Sequence, residues 1–175
     1  PLEDIRMVIA STKIGLWDWN LVTNEIYFSP EWKHQLGYNP DEVEDRFQEW
    51  ESRVHPQDLP IILAKLNTYL YEAIPNDYHV EFRLRHRDGT YRWIMTQAVA
   101  LRDEHGKALR MFGTHIDITR YKQAEEQLSS IQELQHAFFE NSPAAAFVST
   151  LDGQIEMVNA AWEQFFNLKR EQVLN

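Results

Sequence analysis

Seven histidines and no cysteine set the chemistry open to these 175 residues. The histidines are His34, His55, His79, His86, His105, His115 and His136. Without a thiol there is no disulfide, no thiolate metal site and no cysteine nucleophile. The two closest histidines, His79 and His86, are seven positions apart, so on one strand they face opposite ways. No pair has the i, i+4 spacing that sets two imidazoles on one helix face, which argues against a metal site. The six glycines form neither a phosphate loop nor a dinucleotide fingerprint, and no serine occupies a nucleophile elbow. The chemistry left is binding rather than catalysis, and it concentrates in two stretches of period two. Ile94, Thr96, Ala98 and Ala100 share one face of the first; Met111, Gly113 and His115 share one face of the second. Thr96, Ala98, Ala100 and Gly113 are small and leave room in front of the sheet. His115 is then either a hydrogen-bonded core histidine or a contact to a ligand. The opposite face, with Trp93, Met95, Val99, Leu101, Phe112 and Ile116, is too apolar for water and needs a cover.

The elements that position these residues follow from periodicity. Leu2, Ile5, Val8 and Ile9 predict an amphipathic flanking helix within residues 1–13, a candidate for that cover. Leu16–Leu21 alternates as a strand, Val22–Asn24 turns, and Glu25–Phe28 returns. Ser29-Pro30-Glu31 starts a helix, with a capping hydroxyl, proline at the first position and an acid in the first turn; Gly37 stops it. Asn39-Pro40 predicts a further short helical stretch whose Asp41, Glu42, Glu44 and Asp45 form a solvated face. Phe47–Val54 reads as a helical turn. Leu59, Ile62, Leu63, Leu66, Tyr69 and Leu70 stripe the longest helix packed on the sheet, broken by Pro75-Asn76-Asp77. Three strands follow: Tyr78–Arg85, Thr90–Arg102 and Ala108–Ile118, joined at Asp88-Gly89 and Asp103–Gly106. The fold class is α+β: a five-stranded antiparallel sheet with helices on one face, followed by a long helix.

That last strand switches at Asp117-Ile118-Thr119 into Arg120–Glu140, a polar run without Gly or Pro. Thr119 is placed to cap the helix with its hydroxyl. Tyr121, Leu128 and Gln135 recur every seven residues, and so do Ala124, Ile131 and Phe138. The two rows form an a/d seam on which two chains should pair in parallel. Residues 15–43 and 145–173 then align without a gap. Trp17 meets Phe147, Leu21 meets Leu151, Phe28 meets Val158, Ser29 meets Asn159, Trp32 meets Trp162 and Val43 meets Val173. The chain therefore contains one full domain (14–119), a linker helix (120–140) and the start of a second copy (141–175), too small for a stable core of its own.

Trp17-Asp18-Trp19, Tyr27–Trp32, Gly37-Tyr38, Val54–Asp58, Glu81–Arg83, Asp88–Trp93 and Gly113–Thr119 come in the order found in PAS domains. The chain resembles the PAS subclass with paired tryptophans on its first strand, over residues 14–119, and Phe139–Pro143 resembles the opening of a second PAS domain. The resemblance implies a dimeric, non-catalytic sensor that relays a signal through Asp117 and Thr119 to a covalently linked output, most plausibly a sensor histidine kinase. A cyclic-dinucleotide cyclase or phosphodiesterase, or a ligand-free scaffold, is the alternative. It places Ile94, Thr96, Ala98, Met111, Gly113 and His115 at a ligand cavity against the helix Leu59–Tyr71, and Asp117 on a nearby cation or on backbone N–H groups. Flavin-type photochemistry needs a cysteine, and a haem ligand would be a histidine on that helix; both are missing. No resident cofactor is expected, though a small ligand fits the reading. The charge on Asp18 turns Trp17 and Trp19 inward, whereas analogy with flavin-binding members would put Asp18 and Asn20 on the cavity side. A net charge of −10 without a basic stripe disfavours nucleic acid and anionic membrane. The longest apolar run, Ala144–Val148, is far too short to span a bilayer. The sequence stops mid-pattern, as an excised piece of a cytoplasmic module would, whose parent could still be membrane-anchored.

Overall fold

The computed structural model describes residues 12–71 and 78–174. The flanking helix expected within residues 1–13 and the break at Pro75-Asn76-Asp77 lie outside the described residues, apart from Thr12 and Lys13. The chain divides into two compact units, one up to Lys122 and one from Gln123 onward.

The first unit contains β1 (Gly15–Asn20), β2 (Ile26–Phe28), α1 (Pro30–Gln35), α2 (Phe47–Glu51), α3 (Leu59–Tyr71), β3 (Tyr78–Arg85), β4 (Tyr91–Arg102) and β5 (Ala108–Asp117). Its five strands form one antiparallel sheet in the order β2-β1-β5-β4-β3. The N-terminal hairpin and the C-terminal meander therefore meet along β1 and β5, where Trp17 lies opposite Gly113 and Gly15 opposite His115. Along β3, Tyr78, Val80, Phe82 and Leu84 are buried and alternate with more exposed residues, the period-two signature of a half-buried strand. Trp32 and Leu36 around α1, Trp50 of α2, and Ile62 and Leu66 of α3 close over this inner face.

Local signals set the helix ends. Ser29 Oγ accepts from the Trp32 amide at 3.3 Å and Pro30 opens α1. Gly37 ends the segment with φ +81°, a conformation that favours glycine. Residues 39–46 form turns rather than the expected helix. Glu42 folds back so that its carboxylate takes the Asn39 amide at 2.7 Å, the bond of a capping box, but the turn it opens does not continue into a helix. Its acids are not a purely solvated face either. Asp45 pairs at 2.9 Å with Lys33, a buried cation of α1, and Glu42 pairs with Arg87 at 2.9 Å. On the outer face of the sheet, Val99, Leu101 and Phe112 stand exposed.

A long helix, α4 (Thr119–Glu140), leaves β5 directly. Within the second unit, β6 (Phe147–Ser149) and β7 (Ile155–Val158) form a hairpin, followed by α5 (Ala160–Phe166) and a 3-10 turn at Arg170–Gln172. Helix α5 starts 130 positions after α1. The pairing Phe147↔Val158 repeats Trp17↔Phe28 at the same offset.

Candidate functional site

The inner face of the sheet together with α2 and α3 lines a cavity of about 40 Å³, room for a few water molecules. Its wall is mainly aromatic: Trp17, Trp19, Phe28, Phe47, Trp50 and Phe82, with Ile62 and Leu66 from α3 and Thr96, Met111 and His115 from the sheet. Trp17 and Trp19 thus point inward. Asp18 faces the other way and pairs with Arg110 through both carboxylate oxygens. The side-chain charge decided the phase of β1.

Three of the six cavity residues read from the sequence, Thr96, Met111 and His115, line this space; Ile94, Ala98 and Gly113 face inward without lining it. The smallness of Gly113 has another cause. A Cβ there would fall 2.3 Å from the Gln97 carbonyl oxygen and 2.6 Å from Ala98 Cβ, so the residue is small because β4 approaches it closely. At Gly113 the missing side chain admits the close approach of β4.

His115 is fully enclosed and held by α1. The Trp32 indole N–H donates to His115 Nδ1 at 2.7 Å, and Gln35 Nε2 donates to the His115 carbonyl at 2.9 Å. An imidazole that accepts at Nδ1 is neutral, with its proton on Nε2. Burial pushes its pKa down to about 3, because no water is left to solvate the cation. The ring also meets Trp17 and Phe82 edge-on at 6.0 and 5.6 Å. The Trp17 indole N–H is buried without a partner among the described residues. Thr96 spends its hydroxyl on the Thr114 carbonyl at 2.8 Å. Gly15 makes this corner possible: a Cβ there would meet Trp32 Cα at 2.8 Å. The Trp32–His115 bond spans 83 positions, and no sequence signal marked it.

At the junction, the capping roles are exchanged relative to the sequence reading. The exposed Asp117 carboxylate accepts from the Thr119 amide at 2.9 Å and so caps α4. Thr119, which is buried, instead accepts from the Trp93 amide at 2.9 Å, and the Ile118 amide donates to the Trp93 carbonyl at 2.8 Å. Asp117 thus bonds a backbone N–H, one of its two expected partners. Further along α4, Tyr121, Leu128, Ile131 and Phe138 are 53–70% exposed and Ala124 is exposed too. Leu134, missed by the strict seven-residue pattern, widens the stripe.

A sheet wrapped around a small enclosed space, with its last strand running into a long exposed helix, is the architecture of a sensor domain. The chain belongs to the PAS family. The family profile described as PAS fold matches residues 25–115, and a second, described as PAS domain, matches 133–175. The peroxide stress-activated histidine kinase mak1 of Schizosaccharomyces pombe is 33% identical over 129 residues, 70% of this chain and 8% of that protein. The probable diguanylate cyclase DgcE of Escherichia coli is 25% identical over 99% of this chain and 15% of its own length. The chain therefore spans a small part of these curated relatives. A sensory box histidine kinase/response regulator structure from Burkholderia thailandensis superposes with a TM-score of 0.64 and 35% identity, covering 75% of this chain and 98% of that one. Among the described residues no helix is long and apolar enough to cross a membrane.

Proposed function

We propose that this sensory PAS module works as a non-catalytic, cytoplasmic homodimer that relays through the Asp117–Thr119 junction and α4 to a histidine kinase output. The observation that carries the reading is the apolar stripe of α4, which leaves a sensor domain with Tyr121, Leu128, Ile131 and Phe138 largely in water. Two parallel copies would bury it in an a/d seam. Gln135 weakens that seam and would allow two registers, which a relay needs. At 1.5 Å per residue the 22-residue helix spans roughly 33 Å.

This reading expects no large prosthetic group, in keeping with a cavity of about 40 Å³ walled by aromatic side chains. The signal would be a ligand of a few heavy atoms or a change in packing around His115. A cyclase output is the second reading, favoured by the DgcE match over almost the whole chain.

The test is insertional, in the full-length parent. One residue added after Ser129 rotates everything downstream by about 100° and should lock or abolish output; seven should restore it. Equal behaviour of both insertions would make α4 a passive tether. A monomer in sedimentation of the 175-residue chain would count against the homodimer.

A further inference from the structure

We propose that the indole of Trp93 couples the cavity helix α3 to the first turn of α4. Two charged arms from different elements end on this one ring. The first comes from α3. Asp58 immediately precedes that helix, and its carbonyl accepts from the Ile62 amide at 3.0 Å. Its carboxylate takes three bonds from Arg83: the backbone amide at 2.9 Å, Nε at 3.0 Å and Nη2 at 2.6 Å. Arg83 lies directly across from Trp93 in the β3–β4 register, with its guanidinium carbon 5.4 Å from the ring. The second arm comes from α4. Lys122 Nζ lies 5.5 Å from the same ring and pairs with Glu81 at 2.8 Å.

The main chain of Trp93 completes the joint, since its N–H and carbonyl are held by Thr119 and Ile118. An aromatic face attracts cations electrostatically. Both cations here are only partly exposed, so solvent screens them incompletely. Ile62 and Leu66 of α3 line the cavity. A shift of α3 moves Asp58, Asp58 carries Arg83, and Arg83 changes the field and position of the ring that Lys122 grips. The path runs around the rim of the sheet and adds a side-chain route to the backbone junction at Asp117–Thr119.

This inference rests on the relay reading above, but its test needs no output domain and no dimer. Hydrogen exchange of the peptide 119–128 is followed in the whole 175-residue chain. Asp58→Asn, more than 60 positions away in sequence, should speed exchange of that peptide at least about fivefold. In a Trp93→Leu background, which keeps the main-chain bonds but removes the ring, the same substitution should change it less than about twofold. Lys122→Met is a second background with the same expectation, used if Trp93→Leu loses its circular-dichroism transition. Non-additivity in either background supports coupling through the ring. Additive effects, or an Asp58→Asn that leaves peptide 119–128 unchanged in the parent chain, overturn it.

Discussion

The corner around Ser29 and the corner around Asn159 are the same piece of chain folded twice, with different surroundings. Ser29 Oγ accepts from the Leu16 amide at 3.1 Å and the Trp32 amide at 3.3 Å. At an offset of 130, Asn159 Oδ1 accepts from the Ala146 and Trp162 amides, both at 2.9 Å. Gly37 and Asn167, also 130 apart, both take the left-handed conformation after their helices. Burial is where they part. Trp17 is 9% exposed and its counterpart Phe147 57%. Trp17 is covered because β5 and His115 lie against it, and among the described residues the second unit has no strand in the place of β5. Strand–turn–strand–helix is therefore specified locally, by caps, turns and alternation, whereas the core is a long-range property that the meander supplies.

The comparison breaks most easily at the two tryptophans. Trp32→Ala removes a 1%-exposed indole and the bond to His115. It should cost the first unit about 3–5 kcal/mol. Trp162 packs on Phe166 at 4.7 Å, and Phe166 is itself 51% exposed. Trp162→Ala should cost the second unit about 2 kcal/mol, since fewer neighbours are lost. Hydrogen exchange resolved by unit reads both. Equal costs would mean that the second unit has built a core of its own.

The next effect concerns what asparagine adds. Asn159 is fully buried, and its amide also donates to Phe139 O at 3.1 Å and Ala144 O at 2.8 Å. It thus ties the last turn of α4 to the start of α5 within the second unit, which a serine cannot do. Ser29→Ala should cost about 1–2 kcal/mol, the usual value of a cap. Asn159→Ala should cost about 2–4 kcal/mol, because several buried groups lose partners together. Asn159→Ser should recover the two cap bonds but not the tie, leaving the α4 end peptide 134–142 exchanging faster than in the parent chain. Full recovery there would make the extra amide bonds dispensable.

Much of this is legible in the sequence. Ser29-Pro30, Asp88-Gly89, the alternation of Tyr78–Leu84 and the gapless repeat each act over a few residues, so sequence displays them. His115 was found as an inward histidine by alternation, yet its partner Trp32 is on another element 83 positions away. Gly113 was ambiguous in sequence, because a small residue marks a ligand space and a close backbone approach alike, and the close approach of β4 shows only in the β4–β5 register. Residues 39–46 carry a helix-start signal that the structure keeps, with the Glu42 carboxylate on the Asn39 amide, but the turn is not continued, and Glu42 and Asp45 pair with Arg87 and Lys33. The phase of the first strand stayed open in the sequence, since charge and family analogy pointed opposite ways; the structure resolves it with Asp18 outward on Arg110.

The pH response should separate the two units. Above about pH 6.5 His115 is neutral both folded and unfolded, and its contribution to stability is complete. Below that value the unfolded chain takes up a proton while the buried ring, held down to about 3, does not. Stability of the first unit should therefore fall by about 1.4 kcal/mol for each pH unit between about 6.5 and 4. In the second unit, hydrogen bonds from Arg170 hold the Glu163 carboxyl below the usual glutamate range. Its contribution is present above that range and is lost only at lower pH. Urea titrations from pH 7 to 5 should weaken the first unit first, and His115→Gln should flatten that slope. An unchanged slope in His115→Gln would assign the acid sensitivity to another group.

The smallest contrast lies at the two helix stops. Gly37 adopts φ +81° at no steric cost, and a Cβ there would also strike the His86 ring at 2.5 Å. Asn167 adopts φ +51° with a side chain, which asparagine tolerates less easily than glycine. Its backbone N–H still closes the helix on the Glu163 carbonyl. Asn167→Gly should therefore stabilise the second unit by up to about 0.5–1 kcal/mol through relief of that conformation, partly offset by the extra freedom of glycine in the unfolded chain. The reverse change, Gly37→Asn, should destabilise the first unit by more than this, because the His86 ring must move as well. Exchange of the α5 amides reads the first substitution, and thermal unfolding of the first unit the second. A loss of protection in Asn167→Gly would mean that the asparagine side chain supplies a bond of its own at this stop, and that the two ends are alike in backbone angle only.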